Sequence, residues 1–361
     1  MTPLRIVIAG GGTGGHLYPG IAVARELLRR RPESAISFAG TARGIEARVI
    51  PREGFELDLL RSAGLKGMSP LARARGLALL PLSAADAWRI LSRRRPHLVV
   101  GVGGYSSGPV VALAAARRIP TLLLEQNAVP GFTNRTLAHV VSAAAVTYAS
   151  TVGYFRRRGF VAGNPVRAEF FTESDSHAAG APPKVLIFGG SQGSHAINVA
   201  GVEAAPQLAA HRGRLAITHQ TGERDLEFVR DGYRRAGLDA RVEPFLFAME
   251  REITSADLVI SRAGATTLAE LTAAGRPSVL IPLPTAADDH QRKNAEVLRD
   301  AGAADVIEQK DLTGDRLAAV VRALIEDPER LKAMGRAARR LAKPDAARVI
   351  VDRALELATG S

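Results

Sequence analysis

Residues 8–16 read IAGGGTGGH, and residues 187–195 read IFGGSQGSH. Each follows a short apolar run and leads into a helical pattern. Gly10, Gly12 and Gly15 satisfy G-x-G-x-x-G. That spacing lets the backbone turn sharply and aim its N–H groups outward at a helix N-terminus, a geometry suited to phosphate. Two such loops, one in each half of the chain, predict a duplicated α/β architecture of two doubly wound domains.

Working outward from these loops, short apolar runs alternate with helical patterns. Strands are expected at 5–9, 35–39, 56–60, 98–102, 120–124 and 142–147, with helices between them at 20–30 and 108–117 among others. Residues 172–183 lose this periodicity and read as a linker. A second series places strands at 184–188, 215–218, 241–245, 258–261, 278–281 and 304–307. The chain closes with helices at 313–326, 328–341 and 345–358, with Pro328 and Pro344 in first turns. Strand–helix alternation of this kind implies parallel sheets covered on both faces.

A dinucleotide site would want an acid at the end of the second strand. That strand ends Phe38, Ala39, Gly40, Thr41, so NAD is not expected. Further glycine loops follow the strands at 98 and 184: Gly103-Gly104-Tyr105-Ser106-Ser107-Gly108-Pro109 and Gly189-Gly190-Ser191-Gln192-Gly193-Ser194. Several such loops at strand carboxyl ends imply a cleft for diphosphates. Residues 261–270 again run from strand into helix, with Glu270 on the second helical turn. A carboxylate there can accept both hydroxyls of a ribose, although in isolation it reads as a solvated helix residue. Residues 288–294 read as a loop entering a helix, with a capping sequence as the simplest meaning.

The 361 residues suffice for two domains, and 46% apolar with 23% charged residues is the balance of a globular protein. The absence of cysteine excludes disulfides and thiolate metal sites and fits a reducing cytosol. A net charge of +12, nearly all from arginine, attracts nucleic acid, anionic lipid or phosphorylated substrates. No signal peptide is expected. The charge-poor stretches 98–116 and 136–155 are broken by glycine, proline or polar residues and are not read as membrane spans. Between 71 and 97, Arg73, Arg75, Arg89, Arg93, Arg94 and Arg95 stand against Asp86 alone, with Leu77, Leu79, Leu80, Leu82, Trp88 and Leu91 interleaved. This segment suits either an anionic membrane surface or an ordinary amphipathic helix; as a whole, with Pro81, it favours peripheral membrane contact through Leu77, Leu80, Trp88, Arg75 and Arg89.

Taken together, GGTGGH at 11–16, GGYSSGP at 103–109, EQN at 125–127, TN at 133–134, GNPVR at 163–167, GGSQGS at 189–194, RAGATTLAE at 262–270 and HQRKNA at 290–295 resemble the MurG family of lipid I N-acetylglucosaminyltransferases, in order and over nearly the whole chain. The resemblance implies the GT-B fold, two Rossmann-like domains facing a deep cleft. The expected domains are 1–165, joined by a C-terminal helix at 344–361, and 166–343. The first would take lipid I and the membrane, and the second UDP-N-acetylglucosamine. On the family pattern Phe245 and Leu246 flank uracil, and Glu270 takes the ribose. Ser191, Gln192 and Arg167 address the diphosphate, while Gln291 and Asn294 meet the sugar. Ala265, Thr266 and Thr267 line the donor site, and Thr13, Gly14, Gly15 and Asn127 also reach the donor. The acceptor would rest on Thr13, Gly14, Gly104, Tyr105, Ser106, Asn127 and Asn134. His195 stands where the family usually has a small residue and reads as a surface residue, with a phosphate contact as the alternative; His290 stands where a glutamine is also common.

The implied reaction is an inverting single displacement. His16 is the candidate base: an imidazole with an ordinary pKa of ~6.5 takes a proton near neutrality, and a helix N-terminus disfavours its charged form. In isolation it reads as a loop-closing residue. Glu125 is the rival base, or the group that orients His16. Asp288 and Asp289 are adjacent and lack Asp-x-Asp spacing, so no bound metal or other cofactor is expected. Instead, Arg167, loop amides and a helix dipole would stabilise the leaving UDP. The expected site of action is the cytoplasmic face of the bacterial inner membrane, with other cell-wall synthesis proteins as further partners. A sugar-nucleotide epimerase or glycolipid transferase of the same fold is the competing reading. Nucleic-acid binding is disfavoured, because aromatics are only 5% of the chain and tryptophan occurs once.

Overall fold

The structure is a computed structural model that describes residues 3–12, 14–42, 44–62, 79–172, 181–190, 192–211 and 215–360. Thr13, Arg73, Arg75, Leu77, Ser191 and most of the expected linker lie outside the described residues. The chain divides into two compact units, 1–166 with 343–361, and 167–342.

The first unit is built on a parallel sheet of β1 (Arg5–Gly10), β2 (Ala35–Gly40), β3 (Glu56–Leu59), β4 (Leu98–Gly103), β5 (Thr121–Glu125), β6 (Ala143–Val146) and β7 (Gly159–Val161), in the order β3-β2-β1-β4-β5-β6-β7. Its strands are apolar at successive positions because both faces are covered. Ile6 and Ile8 enter one core with Val100 and Val102, while Val7 and Ala9 enter the other with Val99. Helix α1 (Gly14–Arg30) and the C-terminal helix (Ala346–Thr359) pack on the first of these faces, where Ile350, Val351 and Ala354 are buried. The second unit repeats the scheme with β8 (Lys184–Phe188), β9 (Ala216–Gln220), β10 (Ala240–Glu243), β11 (Leu258–Ser261), β12 (Ser278–Leu280) and β13 (Ala304–Val306), in the order β10-β9-β8-β11-β12-β13. Both sheets therefore share the 3-2-1-4-5-6 order of nucleotide-binding doubly wound folds, whose ligands lie at the carboxyl ends of the strands where the winding reverses.

Three local expectations are corrected. Helix α1 begins at Gly14 rather than at residue 20, so His16 lies in its first turn and Pro19 is inside it. Pro344 precedes the N-cap Asp345 and is not in a first turn, whereas Pro328 is. Strand β7 was not anticipated, since three residues after a 3-10 segment carry no periodic signal.

The glycine loops are shaped by buried polar groups beneath them. Glu46 opens helix α2 (Glu46–Arg52) and is buried. Its Oε2 accepts the Gly12 N–H at 2.9 Å, and its Oε1 accepts the Thr41 N–H and hydroxyl, both at 2.9 Å. The carboxylate thus occupies the end of β2 and ties it to the first glycine loop. It is seated where Gly11 has φ +149°, and a Cβ on Gly11 would come within 2.5 Å of the Glu46 carboxyl carbon. In the second unit, helix α6 (His195–Leu208) is held below its loop by Asn198, which donates to the Thr221 carbonyl at 2.9 Å and to Asp225 at 2.8 Å. The Asn198 Oδ1 can only accept, so His219 Nε2 donates to it at 3.0 Å and His219 Nδ1 accepts from the Tyr233 hydroxyl at 2.7 Å. Burial holds His219 neutral, its pKa pushed down to about 3.

Replacing Glu46 with Gln puts an NH2 group against an N–H donor. Glu46→Gln is expected to lower unfolding free energy by about 1–3 kcal/mol, read from the urea midpoint. An unchanged midpoint would show that the carboxylate does not brace the loop.

Candidate active site

In the first unit the loops leaving β1 and β4 meet where the winding reverses. Gly10 pairs with Gly103 across a register shift. The imidazole of His16 lies against Gly103: with φ at +95°, any Cβ on Gly103 would sit 2.6 Å from His16 Cδ2. Gly103 is therefore the floor on which His16 rests. Tyr105, partly exposed, lies over Gly12, and its carbonyl accepts from Ser62 at 3.3 Å. Ser106 is buried at the N-cap of helix α4 (Ser107–Ala116). Gly104 and Gly14, with Gly15, complete the loops that the sequence placed here.

At the end of β5, Glu125 is buried. Its Oε1 accepts from the Asn127 backbone N–H at 3.0 Å and side chain at 3.1 Å. Its Oε2 accepts from the Gly131 N–H at 3.1 Å and Asn134 Nδ2 at 2.9 Å. Burial pushes its pKa up, against the pull of those four hydrogen bonds. A carboxyl group 3% exposed and accepting from four donors holds the 125–134 turn. Asn127 and Asn134, expected to position a ligand, are both engaged with Glu125.

In the second unit four segments gather at the carboxyl edge of the sheet. The loop after β8 carries Gly190 at φ +95° and exposed Gln192 before helix α6. His195, first in that helix, is exposed, and its Nδ1 is 2.9 Å from Asp225 Oδ2. Burial alone would raise the Asp225 carboxyl, but hydrogen bonds from Asn198 and His195 hold it below its usual range. After β10, Phe245 is partly exposed and stands edge-on to Phe247, with ring centroids 5.1 Å apart, while Leu246 is buried. After β11, Ala265, Thr266 and Thr267 form the first turn of helix α9 (Ala265–Ala274), and Glu270 follows on the second turn, partly buried. Burial pushes its pKa up to about 7; the nearby Arg167 pulls it down and Glu250 pushes it up. Arg167 donates to Glu250 at 3.3 Å and covers the Phe170 ring at 5.2 Å. Arg167 thus stands beside the expected ribose carboxylate. Glu250 was not singled out from the sequence, because nothing local marks it among other helix acids.

The remaining candidates form a brace. Gln291 Oε1 accepts from the N–H groups of Ala263 at 3.2 Å and Leu283 at 3.0 Å. Asn294 is fully buried and donates to the Ala263 carbonyl at 3.4 Å. Arg262 donates to the carbonyls of Ile281 and Pro282, each at 3.2 Å, and to Gln309 at 2.6 Å. Asp288 and Asp289 both have left-handed backbones before helix α10 (His290–Asp300), and Asp289 pairs with Arg292 rather than capping the helix. Among the described residues no three ligating side chains gather as a metal site.

Away from the loops, helix α3 (Leu80–Arg94) exposes Leu80, Leu82 and, at 56%, Trp88, over which Arg117 stacks at 4.7 Å. The basic surplus here is smaller than the sequence implied. Arg89 and Arg61 share Asp86, Arg93 pairs with Asp58, and Arg94 pairs with Asp58 and Glu56. Those two acids come from β3, outside the segment. Among the described residues no helix is long and apolar enough to cross a membrane.

Models of the glycosyltransferase family 28 N-terminal and C-terminal domains match residues 6–146 and 184–350. A relative from Anaeromyxobacter dehalogenans, named UDP-N-acetylglucosamine–N-acetylmuramyl-(pentapeptide) pyrophosphoryl-undecaprenol N-acetylglucosamine transferase, is 49% identical over 98% of this chain and 93% of its own. A relative of the same name from Geobacter sulfurreducens is 48% identical over 97% of both chains. The crystal structure of MurG from Acinetobacter baumannii matches with a TM-score of 0.80 at 31% identity, covering 98% of this chain and 100% of that one. With two Rossmann-like units of GT-B type and full-length similarity to these enzymes, the chain belongs to the MurG family of glycosyltransferase family 28.

Proposed function

We infer that this enzyme transfers N-acetylglucosamine from UDP-N-acetylglucosamine to the 4-hydroxyl of undecaprenyl-pyrophosphoryl-N-acetylmuramyl-pentapeptide, lipid I, to give lipid II for peptidoglycan. The observation that carries this reading is similarity running through both units: the loops of the acceptor half are retained along with those of the donor half, and an epimerase has no use for an acceptor site.

The roles given to the side chains are those that the family resemblance implies. The second unit holds the donor. Phe245 faces uracil, Glu270 accepts from the ribose hydroxyls, and the 189–194 loop amides with Gln192 and Ser191 meet the diphosphate. Thr266, Thr267 and Ala265 line the path to the sugar, where Gln291 and Asn294 act mainly by shaping the 263–264 turn. The first unit holds the acceptor, its pyrophosphate on Thr13, Gly14, Gly15, Gly104, Tyr105 and Ser106. His16 takes the proton of the 4-hydroxyl as that oxygen attacks the anomeric carbon. The bond from that carbon to UDP breaks, and configuration inverts. Negative charge appearing on UDP is met by loop amides at the α6 N-terminus and by the Arg167 guanidinium. Glu125 serves as a positioning residue. No resident metal is invoked, since these groups supply the charge stabilisation themselves.

The enzyme works as a peripheral protein at the cytoplasmic face of the inner membrane, where the prenyl chain of its acceptor stays embedded. Leu80, Leu82 and Trp88 on α3, with Arg89 and Arg117 beside them, support contact with anionic lipid.

Incubation with labelled UDP-N-acetylglucosamine and a short-chain lipid I analogue is expected to give a β-1,4-linked disaccharide lipid. A protein that binds UDP but gives no such product contradicts the acceptor assignment. The Glu270 pKa of about 7 also makes donor binding depend on pH. The ribose hydroxyls need the ionised carboxylate, so binding expels a proton below pH 7 and costs nothing above it. The donor KM is expected to fall about tenfold between pH 6 and pH 8, and this slope should vanish in Glu270→Gln, which binds donor weakly throughout. A flat wild-type profile removes Glu270 from the donor site.

A further inference from the structure

In the second unit the sheet order puts β9 between β8 and β10, whose outgoing loops differ in character. The loop after β8 is rich in glycine and opens a helix, a cradle for phosphate. The segment after β10 presents two aromatic rings, with Phe247 92% exposed beside Phe245, a platform for a flat heterocycle. Gln220 is the last residue of β9, in register with Phe188 of β8 and Glu243 of β10. Its side chain is buried and continues past the strand end into both loops. The Nε2 donates to the Gly190 carbonyl at 2.8 Å, and the Oε1 accepts from the Leu246 N–H at 3.1 Å. A carbonyl only accepts and an amide N–H only donates, so the carboxamide has one possible orientation. Neighbouring backbone bonds, Thr221 N–H to the Glu243 carbonyl and Gly222 N–H to the Pro244 carbonyl, join β9 to the aromatic segment but do not reach Gly190.

We propose that Gln220 is the positioning residue that fixes the distance between the base platform and the diphosphate loop, and so makes the two bind a nucleoside diphosphate as one site. This rests on reading the second unit as the donor site. Two weak subsites held at the spacing of their ligand act with a high effective concentration on each other, and a loose spacing forfeits that advantage while leaving each subsite intact. A glutamate at position 220 loses the donor towards Gly190, and a methionine of similar length loses both bonds.

The test compares the affinities of UDP and uridine for the full chain and for Gln220→Glu and Gln220→Met. In the wild type UDP should bind far more tightly than uridine. In the variants UDP affinity is expected to fall about tenfold or more while uridine affinity changes less than about threefold. The donor KM should rise in parallel, with the KM for a lipid I analogue unchanged. An unchanged UDP-to-uridine ratio in a folded variant overturns the proposal; failure of the wild type to bind UDP overturns the donor-site reading instead. If neither variant folds, hydrogen exchange in the wild type decides. Saturating uridine, which reaches the aromatic platform and the Glu270 helix but not the diphosphate loop, should slow exchange of the amides at 190 and 193 if the two loops move together, and protection confined to 245–247 and the Glu270 helix would contradict it.

Discussion

Loops that bind phosphate through their backbone cannot carry the side chains that would otherwise hold them in shape. This is the constraint from which the rest of the molecule follows. Gly11 and Gly103 are needed for conformation and close approach, and neither can stabilise its own turn. Order is imposed from outside by buried polar side chains whose hydrogen bonds end on the loop backbone. Glu46 holds the first glycine loop, Glu125 the turn after β5, Gln220 the third loop, and Gln291 the turn after β11. Each is buried or half-buried and accepts or donates at least two hydrogen bonds, which suits a scaffold.

The groups proposed to act on substrate are placed differently. His16 rests on a glycine floor, Phe245 and Phe247 are exposed, and Arg167 and Glu270 lie near one another with Glu250. On the proposed function, the side chains that brace the loops are distinct from those that meet the substrate.

Much of this was legible in the sequence because it depends on local pattern. Strands buried on both faces read as apolar runs, and glycine clusters after them marked the carboxyl edges of both sheets. The start of α1 was misread because Gly14, Gly15 and Pro19 are poor helix formers, and the helix forms there to present the loop. Glu46, Glu250 and Gln220 escaped notice because their partners are 34, 83 and 30 positions away respectively, and no local spacing announces such a contact. The charge of the α3 segment was overestimated for the same reason: Asp58 and Glu56 are supplied by a strand that only the fold brings alongside.

On the proposed mechanism the imidazole, not the saturated carboxylate, removes the acceptor proton. The direct measurement is the single-turnover transfer rate of His16→Ala, with both substrates saturating, compared with Glu125→Gln in the same assay. The expected result is a loss of about a hundredfold to ten-thousandfold for His16→Ala, partly restored by added imidazole, and for Glu125→Gln a lower stability with no rescue by added carboxylate. A His16→Ala enzyme that turns over within a few-fold of wild type, or a Glu125→Gln enzyme rescued by formate, would contradict it.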